Sequence, residues 1–203
     1  MHTTWNDYSR LAFIQANKKG DLAEMQRLYP AYTLKILTEP SRKIMVEIYL
    51  TALTDITQDT NLDALEWLLS QLAPYCVSPP LIQEAIYNAI FHKRLDIVSY
   101  LWNITVNGCL GLTEDDAMGW LQDDDYRLFH YACENGNLET VEFLYDTAYI
   151  YKIYVPPSVL EQGHECAQSD EVTTWLEHKG ASIGHPIEPE WIMVSTPLDL
   201  HSR

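Results

Sequence analysis

The amino-acid sequence predicts an all-α fold made of about five stacked pairs of helices. The first observation is that apolar residues recur at helical spacing in five segments, which centre on 9–29, 44–72, 81–102, 127–146 and 158–179. The second is that the later half of each of the first four segments repeats one apolar pattern. The third is that proline-containing connectors separate several of the segments. Helix pairs at such a repeat bury their apolar faces by stacking on their neighbours, which predicts a solenoid.

The composition supports a globular, non-membrane protein. Apolar residues make up 47% of the 203 residues and charged residues 21%, which excludes a disordered chain. The net charge of -16 opposes binding to a nucleic-acid backbone, so no nucleic-acid partner is expected. No apolar run reaches the length that spans a bilayer, so no membrane partner is expected. The sequence shows no export signal and no Cys-x-x-Cys pair, which predicts a cytoplasmic protein with reduced thiols. Delivery of the protein into the cytosol of a host cell is the alternative.

The second helix of each of the first four predicted pairs defines the repeat. Each places apolar side chains at positions i, i+3 and i+6, in the stretches 20–28, 61–68, 95–101 and 137–144. From Leu22, the equivalent residues Leu62, Leu95 and Leu138 follow at steps of 40, 33 and 43 residues. A basic unit of about 33 residues with two insertions accounts for these steps.

The connectors differ from one another. Prolines interrupt residues 30–43, 73–80 and 147–157, where each is expected to end a helix and redirect the chain. The longest insertion covers 103–126; within it, Thr113 is expected to cap a short acidic helix that runs to about Gln122. We therefore predict one repeat domain over 1–182 that carries the acidic insertion at 103–126. An extended C-terminal tail over 183–203 would shield the last helix pair.

The fourth segment resembles an ankyrin repeat. Residues 127–144 match the family's Thr-Pro-Leu-His-x-Ala pattern at Phe129, His130 and Ala132. The match continues with Gly136, Leu138, Val141 and Leu144. The resemblance implies that Ala132 and Cys133 are small because first helices of adjacent repeats pack closely there. It also implies that His130 bonds backbone in the neighbouring turn and that Gly136 lets the chain turn between two helices.

The other segments resemble the repeat less closely. They keep a small residue in the first helix, such as Ala16 and Ala89, and His164 and Cys166 follow 34 residues after His130 and Ala132. The resemblance implies an ankyrin-like solenoid. Short, divergent ankyrin proteins resemble those that intracellular bacteria and large viruses direct against host proteins, which implies a secreted, effector-like adaptor.

Ankyrin-like solenoids bind other proteins through a concave face formed by their first helices and the adjoining loops. Carried over by position, this implies that the chain contacts a protein partner and is not an enzyme. The outward-facing residues of the first helices would be Gln15, Lys18 and Lys19 in the first segment, Asn88, Phe91 and His92 in the third, and Tyr131, Glu134 and Asn135 in the fourth. Packing of Phe91 under a connector is the alternative. Tyr126 is a further expected contact.

Acidic residues are concentrated in one part of the chain. Residues 103–150 hold ten Asp and Glu against the single base Arg127, whereas residues 1–50 hold five acids and seven bases. The run Asp123, Asp124 and Asp125 lies within the acidic part. Such a surface steers a basic partner, so we add these three residues to the expected contacts. A solvated acidic loop with no partner is the alternative, and a stoichiometric inhibitor that blocks an enzyme's basic active site is a further one.

A metal site is the alternative from a different class. His130, Cys133, His164 and Cys166 are residue types that hold zinc, which would make the chain a metal-binding protein or metalloenzyme. Two equivalent helices stacked about 10 Å apart would keep the four side chains from reaching one metal ion. The sequence contains no phosphate-binding loop and no nucleophile elbow, so we expect no enzymatic activity and no cofactor.

Overall fold

The computed structural model describes residues 7–29, 51, 53–72, 78–109, 111–122 and 125–180. Within these residues the chain forms helices and no strand, which confirms the predicted all-α class. The chain divides into two compact units, Met1–Asp123 and Asp124–Arg203. The predicted tail over 183–203 lies outside the described residues, and the single repeat domain over 1–182 stays a prediction.

The described residues of the first unit form six helices. They are α1 (Asp7–Lys18), α2 (Leu22–Leu28), α3 (Leu62–Leu72), α4 (Pro79–Phe91), α5 (Leu95–Val106) and α6 (Glu114–Gln122). Residues 51, 53 and 54 are also helical and precede the turn that leads into α3. The helices α1 and α2 pack on each other, α2 packs on α3, and α5 packs on both α4 and α6.

Local signals in the sequence explain where these helices begin. The carboxylate of Asp21 accepts a hydrogen bond from the backbone N–H of Glu24 and so caps α2. Pro79 and Pro80 occupy the first turn of α4, where no backbone N–H is needed. The helix α4 then buries a broad apolar stripe, which consists of Leu81, Ile82, Ala85, Ile86, Ala89 and Ile90.

The acidic insertion contains the predicted short helix. The backbone N–H of Asp116 donates to Oγ1 of Thr113, and the backbone N–H of Thr113 donates to the Asp116 carboxylate, which confirms Thr113 as the cap of α6. The helix buries Trp120, whose ring meets the edge of Trp102 at 6.4 Å. The preceding helix α5 extends to Val106, so the first four residues of the predicted insertion are helical.

The second unit contains two helix pairs within its described residues. They are α7 (Arg127–Glu134) with α8 (Leu138–Ile150), and α9 (Pro157–Cys166) with α10 (Asp170–His178). The first helices α7 and α9 pack on each other, as do the second helices α8 and α10. Gly163 brings α9 close to α7, because a Cβ there would lie 3.2 Å from both Cys133 Sγ and Phe129 Cε1.

Three turns within helix pairs share one backbone motif, and the turn that follows α8 repeats it with Ala148, Lys152 and Ile153. In each, an alanine carbonyl accepts a hydrogen bond from the backbone N–H five residues later, and the residue before that donor has a left-handed conformation. The bonds are Asp21 to Ala16 at 2.8 Å, Arg94 to Ala89 at 2.8 Å and Asn137 to Ala132 at 3.2 Å. The left-handed residues are Gly20 at φ 62°, Lys93 at φ 56° and Gly136 at φ 61°. The predicted role of Gly136 in the turn is confirmed.

The turns of neighbouring helix pairs also contact one another within each unit. A Cβ on Gly20 would overlap the side chain of Asn61, which lies just before α3. A Cβ on Gly136 would lie 2.9 Å from the Cβ of Ser169, just before α10. Glycine at these two turns therefore provides both the left-handed backbone and the space for the next turn.

Candidate partner-binding surfaces

A pocket of about 340 Å³ lies in the first unit, where residues from three successive segments meet. Lys18 comes from the end of α1, and Asn88 and His92 come from the end of α4. Thr54 belongs to the helical residues before α3, and residues 55–57 follow it. Two of the contact residues expected from the sequence, Asn88 and His92, thus line one pocket. We call this site the Asp55 pocket, after the carboxylate that it contains.

Two polar contacts connect the walls of the Asp55 pocket. The ammonium group of Lys18 lies 2.8 Å from Oδ2 of Asp55. The side-chain amide of Asn88 donates a hydrogen bond of 3.0 Å to the carbonyl oxygen of Thr54. These contacts link α1 and α4 to the segment between them.

Arg94 holds one wall of the pocket in place. Its Nη1 group donates to the carbonyl oxygens of Thr57 at 3.4 Å, Gln58 at 2.9 Å and Thr60 at 2.5 Å. Its other nitrogens bind Asp96 at 2.9 Å and 2.6 Å, which raises the pKa of Arg94 and holds the pKa of Asp96 below its ordinary value. Since its side chain is only 17% exposed, Arg94 is largely enclosed by these partners.

Phe91 lies beside the pocket and faces solvent. Its side chain is 56% exposed, and its ring meets that of His92 edge to face at 5.0 Å. The structure thus places an exposed aromatic ring next to a polar pocket. Aromatic side chains are frequent anchors in protein interfaces.

In the second unit, the expected contacts Tyr131, Glu134 and Asn135 lie at the end of α7. Glu134 is exposed, and Tyr131 and Asn135 are half-buried. The side-chain amide of Asn135 donates a 2.8 Å hydrogen bond to the carbonyl oxygen of Tyr131. Asn135 therefore also stabilises the end of its own helix.

The neighbouring helix α9 adds two acidic residues that the sequence argument did not select. Glu161 and Glu165 are exposed and lie one helical turn apart on the same side of α9. Burial is the main cause that raises the pKa of the Cys166 thiol, and the negative charges of Glu134 and Glu165 raise it further. The helices α7 and α9, which carry these residues, pack on each other. We call Glu134, Glu161 and Glu165 the acidic face.

Asp125 and Tyr126 form the turn before α7, with φ values of 56° and 64°. Asp125 is exposed. The hydroxyl of Tyr126 donates a 2.5 Å hydrogen bond to the carbonyl oxygen of Tyr154, and burial raises its pKa. Tyr126 thus connects this turn to the segment after α8, whereas the expected contacts Asp123 and Asp124 lie outside the described residues.

The four residues of the metal hypothesis have other contacts. His130 Nε2 lies 3.1 Å from the carbonyl oxygen of Val159, which confirms the backbone contact expected from the ankyrin pattern. Cys133 is buried, and burial raises the pKa of its thiol. Cys166 Sγ contacts the carbonyl oxygen of His130, while His164 Nε2 lies 3.4 Å from Glu177. Among the described residues, no three His, Cys, Asp or Glu side chains are grouped to bind a metal ion.

Comparison with protein-family models, curated proteins and solved structures finds no match for this chain. The ankyrin resemblance therefore depends on the residues of the chain itself. In the described part of the chain, every helix is too short or too polar to cross a membrane.

Proposed function

We propose that this chain is an ankyrin-like repeat protein that binds a protein partner with a basic surface through its first helices. The observation that carries the proposal is the acidic face, where exposed carboxylates come from two adjacent first helices, α7 and α9. In an ankyrin-like arrangement, first helices line the recognition surface. Glu134, Glu161 and Glu165 therefore lie on the helices where recognition is expected and carry the negative charge that attracts a basic partner.

The turn geometry supports the repeat part of the proposal. The same hydrogen-bonded turn joins the two helices of three pairs, after α1, α4 and α7, where it follows an alanine in the first helix. It also follows the second helix α8, at Ala148. In the second unit, α7 packs on α9 and α8 packs on α10, as stacked hairpins require. In an ankyrin-like solenoid, this stacking of helix pairs repeats along the chain.

The charge distribution supports a basic partner. The described residues 125–180 hold ten acidic and three basic residues. Of the three bases, Lys179 lies over the rings of Tyr145 and Trp175, at 4.8 Å and 5.1 Å from their centres. An excess of one charge raises the rate at which an oppositely charged partner associates, and the effect weakens as salt is added.

Affinity capture with two matched variants tests the proposal. The acidic-face variant carries Glu134→Gln, Glu161→Gln and Glu165→Gln. The control variant carries Glu139→Gln, Asp146→Asn and Glu171→Gln, which remove the same charge from exposed positions on the second helices α8 and α10. Each protein is immobilised, exposed to lysate from the native cellular setting and analysed by quantitative mass spectrometry. We expect a basic protein that the wild type and the control retain and the acidic-face variant loses.

Equal recovery of all partners by the two variants would place the contact elsewhere. If the captured protein is an enzyme, its activity with and without the bound chain separates an adaptor from a stoichiometric inhibitor. Loss of its activity at a one-to-one ratio would favour the inhibitor.

A further inference from the structure

The Asp55 pocket contains a carboxylate whose present partner is easily replaced. Lys18 and Asp55 form their ion pair with side chains that are 54% and 38% exposed. Exposed pairs of this kind contribute little to stability, because both groups are well solvated when separated. Another cation can therefore take the place of Lys18 on Asp55 at small cost.

The pocket also offers a second acceptor and an aromatic ring. Because Asn88 donates through its amide nitrogen to Thr54, its amide oxygen remains available as an acceptor. The imidazole of His92 forms another part of the wall. A guanidinium group fits this set: its fork of N–H donors binds a carboxylate with two bonds, a further N–H reaches an amide oxygen, and its plane stacks on a ring.

Size and net charge favour a cationic side chain as the occupant. A volume of about 340 Å³ lies at the lower end of the range for ligand pockets, which suits a single side chain. The first unit, residues 1–123, holds 15 acidic and nine basic residues, and this excess attracts cations and repels carboxylates.

We infer that the Asp55 pocket receives an arginine side chain of the basic partner, which displaces the ammonium group of Lys18 from Asp55. This inference rests on the proposed function, since the partner supplies the arginine. Lys18 then acts as an internal competitor that occupies the carboxylate until the partner binds. Arg94, which binds the 57–60 loop, acts as a positioning residue for the pocket.

The consequence is an unusual response to two substitutions. Lys18→Met removes the competitor and strengthens arginine binding by about threefold, the change expected when an exposed pair no longer opposes it. Asp55→Asn removes the anionic partner and weakens binding by about fivefold or more. Lys19→Met is the matched control, because it removes the same charge from an exposed position that does not line the pocket.

The experiment titrates the ¹⁵N-labelled full chain with N-acetyl-arginine amide and, separately, N-acetyl-glutamate amide. Backbone amide shifts at Asp55, Asn88 and His92 report occupancy. We expect saturable shifts with the arginine probe only, tightened by Lys18→Met, weakened by Asp55→Asn and little changed by Lys19→Met. Unfolding curves of the three variants confirm that each remains folded.

Several results would overturn the inference. These are saturable binding of the glutamate probe, weaker arginine binding after Lys18→Met, equal tightening by Lys18→Met and Lys19→Met, or no shifts at all. The titration needs no partner protein, so its outcome is separate from that of the capture experiment. If the titration shows no arginine binding but the acidic-face variant still loses its partner, the proposed function holds. The Asp55 pocket then does not bind an arginine side chain of that partner.

Discussion

The turn between α4 and α5 and the turn between α7 and α8 have the same backbone but different side chains. Each has a left-handed residue, Lys93 at φ 56° in the first and Gly136 at φ 61° in the second. The next residue is Arg94 in one turn and Asn137 in the other. The comparison shows that a helix-pair turn is defined by its hydrogen bonds, while its side chains are free to take on different tasks.

The residue after the left-handed position shows the difference in task. Asn137 caps its own helix, because its side chain accepts a hydrogen bond from the backbone N–H of Thr140. Arg94 makes no such cap and instead binds carbonyl groups of the preceding turn. One turn stabilises a helix end, and the other holds a wall of the Asp55 pocket.

The largest effect on this comparison is expected from Gly136→Ala. The substitution forces alanine into a left-handed conformation and places its Cβ 2.9 Å from the Cβ of Ser169. Conformational strain of about 1–2 kcal/mol and the added crowding together predict a loss of about 2–4 kcal/mol in the free energy of unfolding. Urea denaturation followed by circular dichroism measures the loss.

Gly119→Ala is the control for that substitution. Gly119 lies within α6, and a Cβ there meets no other atom within 4 Å. We expect a gain of about 0.5–1 kcal/mol, because alanine favours the helix more than glycine does. A tolerated Gly136→Ala would show that the turn does not need its left-handed residue or its close neighbour.

A smaller loss is expected from Arg94→Met, which keeps most of the side-chain volume but removes the fork of donors. Three carbonyl groups of the 57–60 loop, which are exposed or partly buried, would lose their protein donor. Because water can replace that donor in part, we expect a loss of about 0.5–1.5 kcal/mol. The pKa of Asp96 would also rise towards its ordinary value, because the hydrogen bonds from Arg94 hold it down. Urea denaturation and an NMR titration of Asp96 measure the two effects.

The pH dependence follows from that lowered pKa. The pair favours the folded state above the ordinary pKa of an aspartate, and its contribution disappears as the pH falls through the lowered pKa of Asp96. Arg94→Met should therefore reduce stability less at strongly acidic pH than at neutral pH. If the pKa of Asp96 is unchanged in the variant, Arg94 does not form the hydrogen bonds to Asp96 described above.

The smallest effect, and the only stabilising one among the turn substitutions, is expected from Lys93→Gly. Glycine adopts the left-handed conformation of this turn without the strain that lysine bears, although it gains more freedom in the unfolded chain. The net prediction is a gain of about 0.5–1 kcal/mol by thermal or urea denaturation. A clear loss would mean that side-chain contacts of Lys93 outweigh its backbone strain.

Local patterns made much of the fold predictable from the sequence. The apolar spacing predicted the helices, Thr113 predicted the start of α6, and the ankyrin pattern predicted the contact of His130 with backbone. Each of these features depends on residues close in sequence or on a position shared with a known repeat. Such signals are visible without coordinates.

The Asp55 pocket and the acidic face were harder to predict. Arg94 binds carbonyl groups 34 to 37 residues earlier in the chain, and no local pattern indicates that contact. Its one sequence signal is a base where Asp21 and Asn137 stand in the equivalent turns. Glu161 and Glu165 were missed because their meaning depends on the packing of α9 beside α7.

The acidic face is the centre of this account, and the kinetics of association test it most directly. Once a partner has been captured, its association rate constant is measured with the wild type, the acidic-face variant and the control variant at low and physiological salt. We predict a fall of about tenfold or more at low salt for the acidic-face variant alone, with a smaller difference at higher salt. Equal association rates for the two variants would contradict the proposal that the partner binds through α7 and α9.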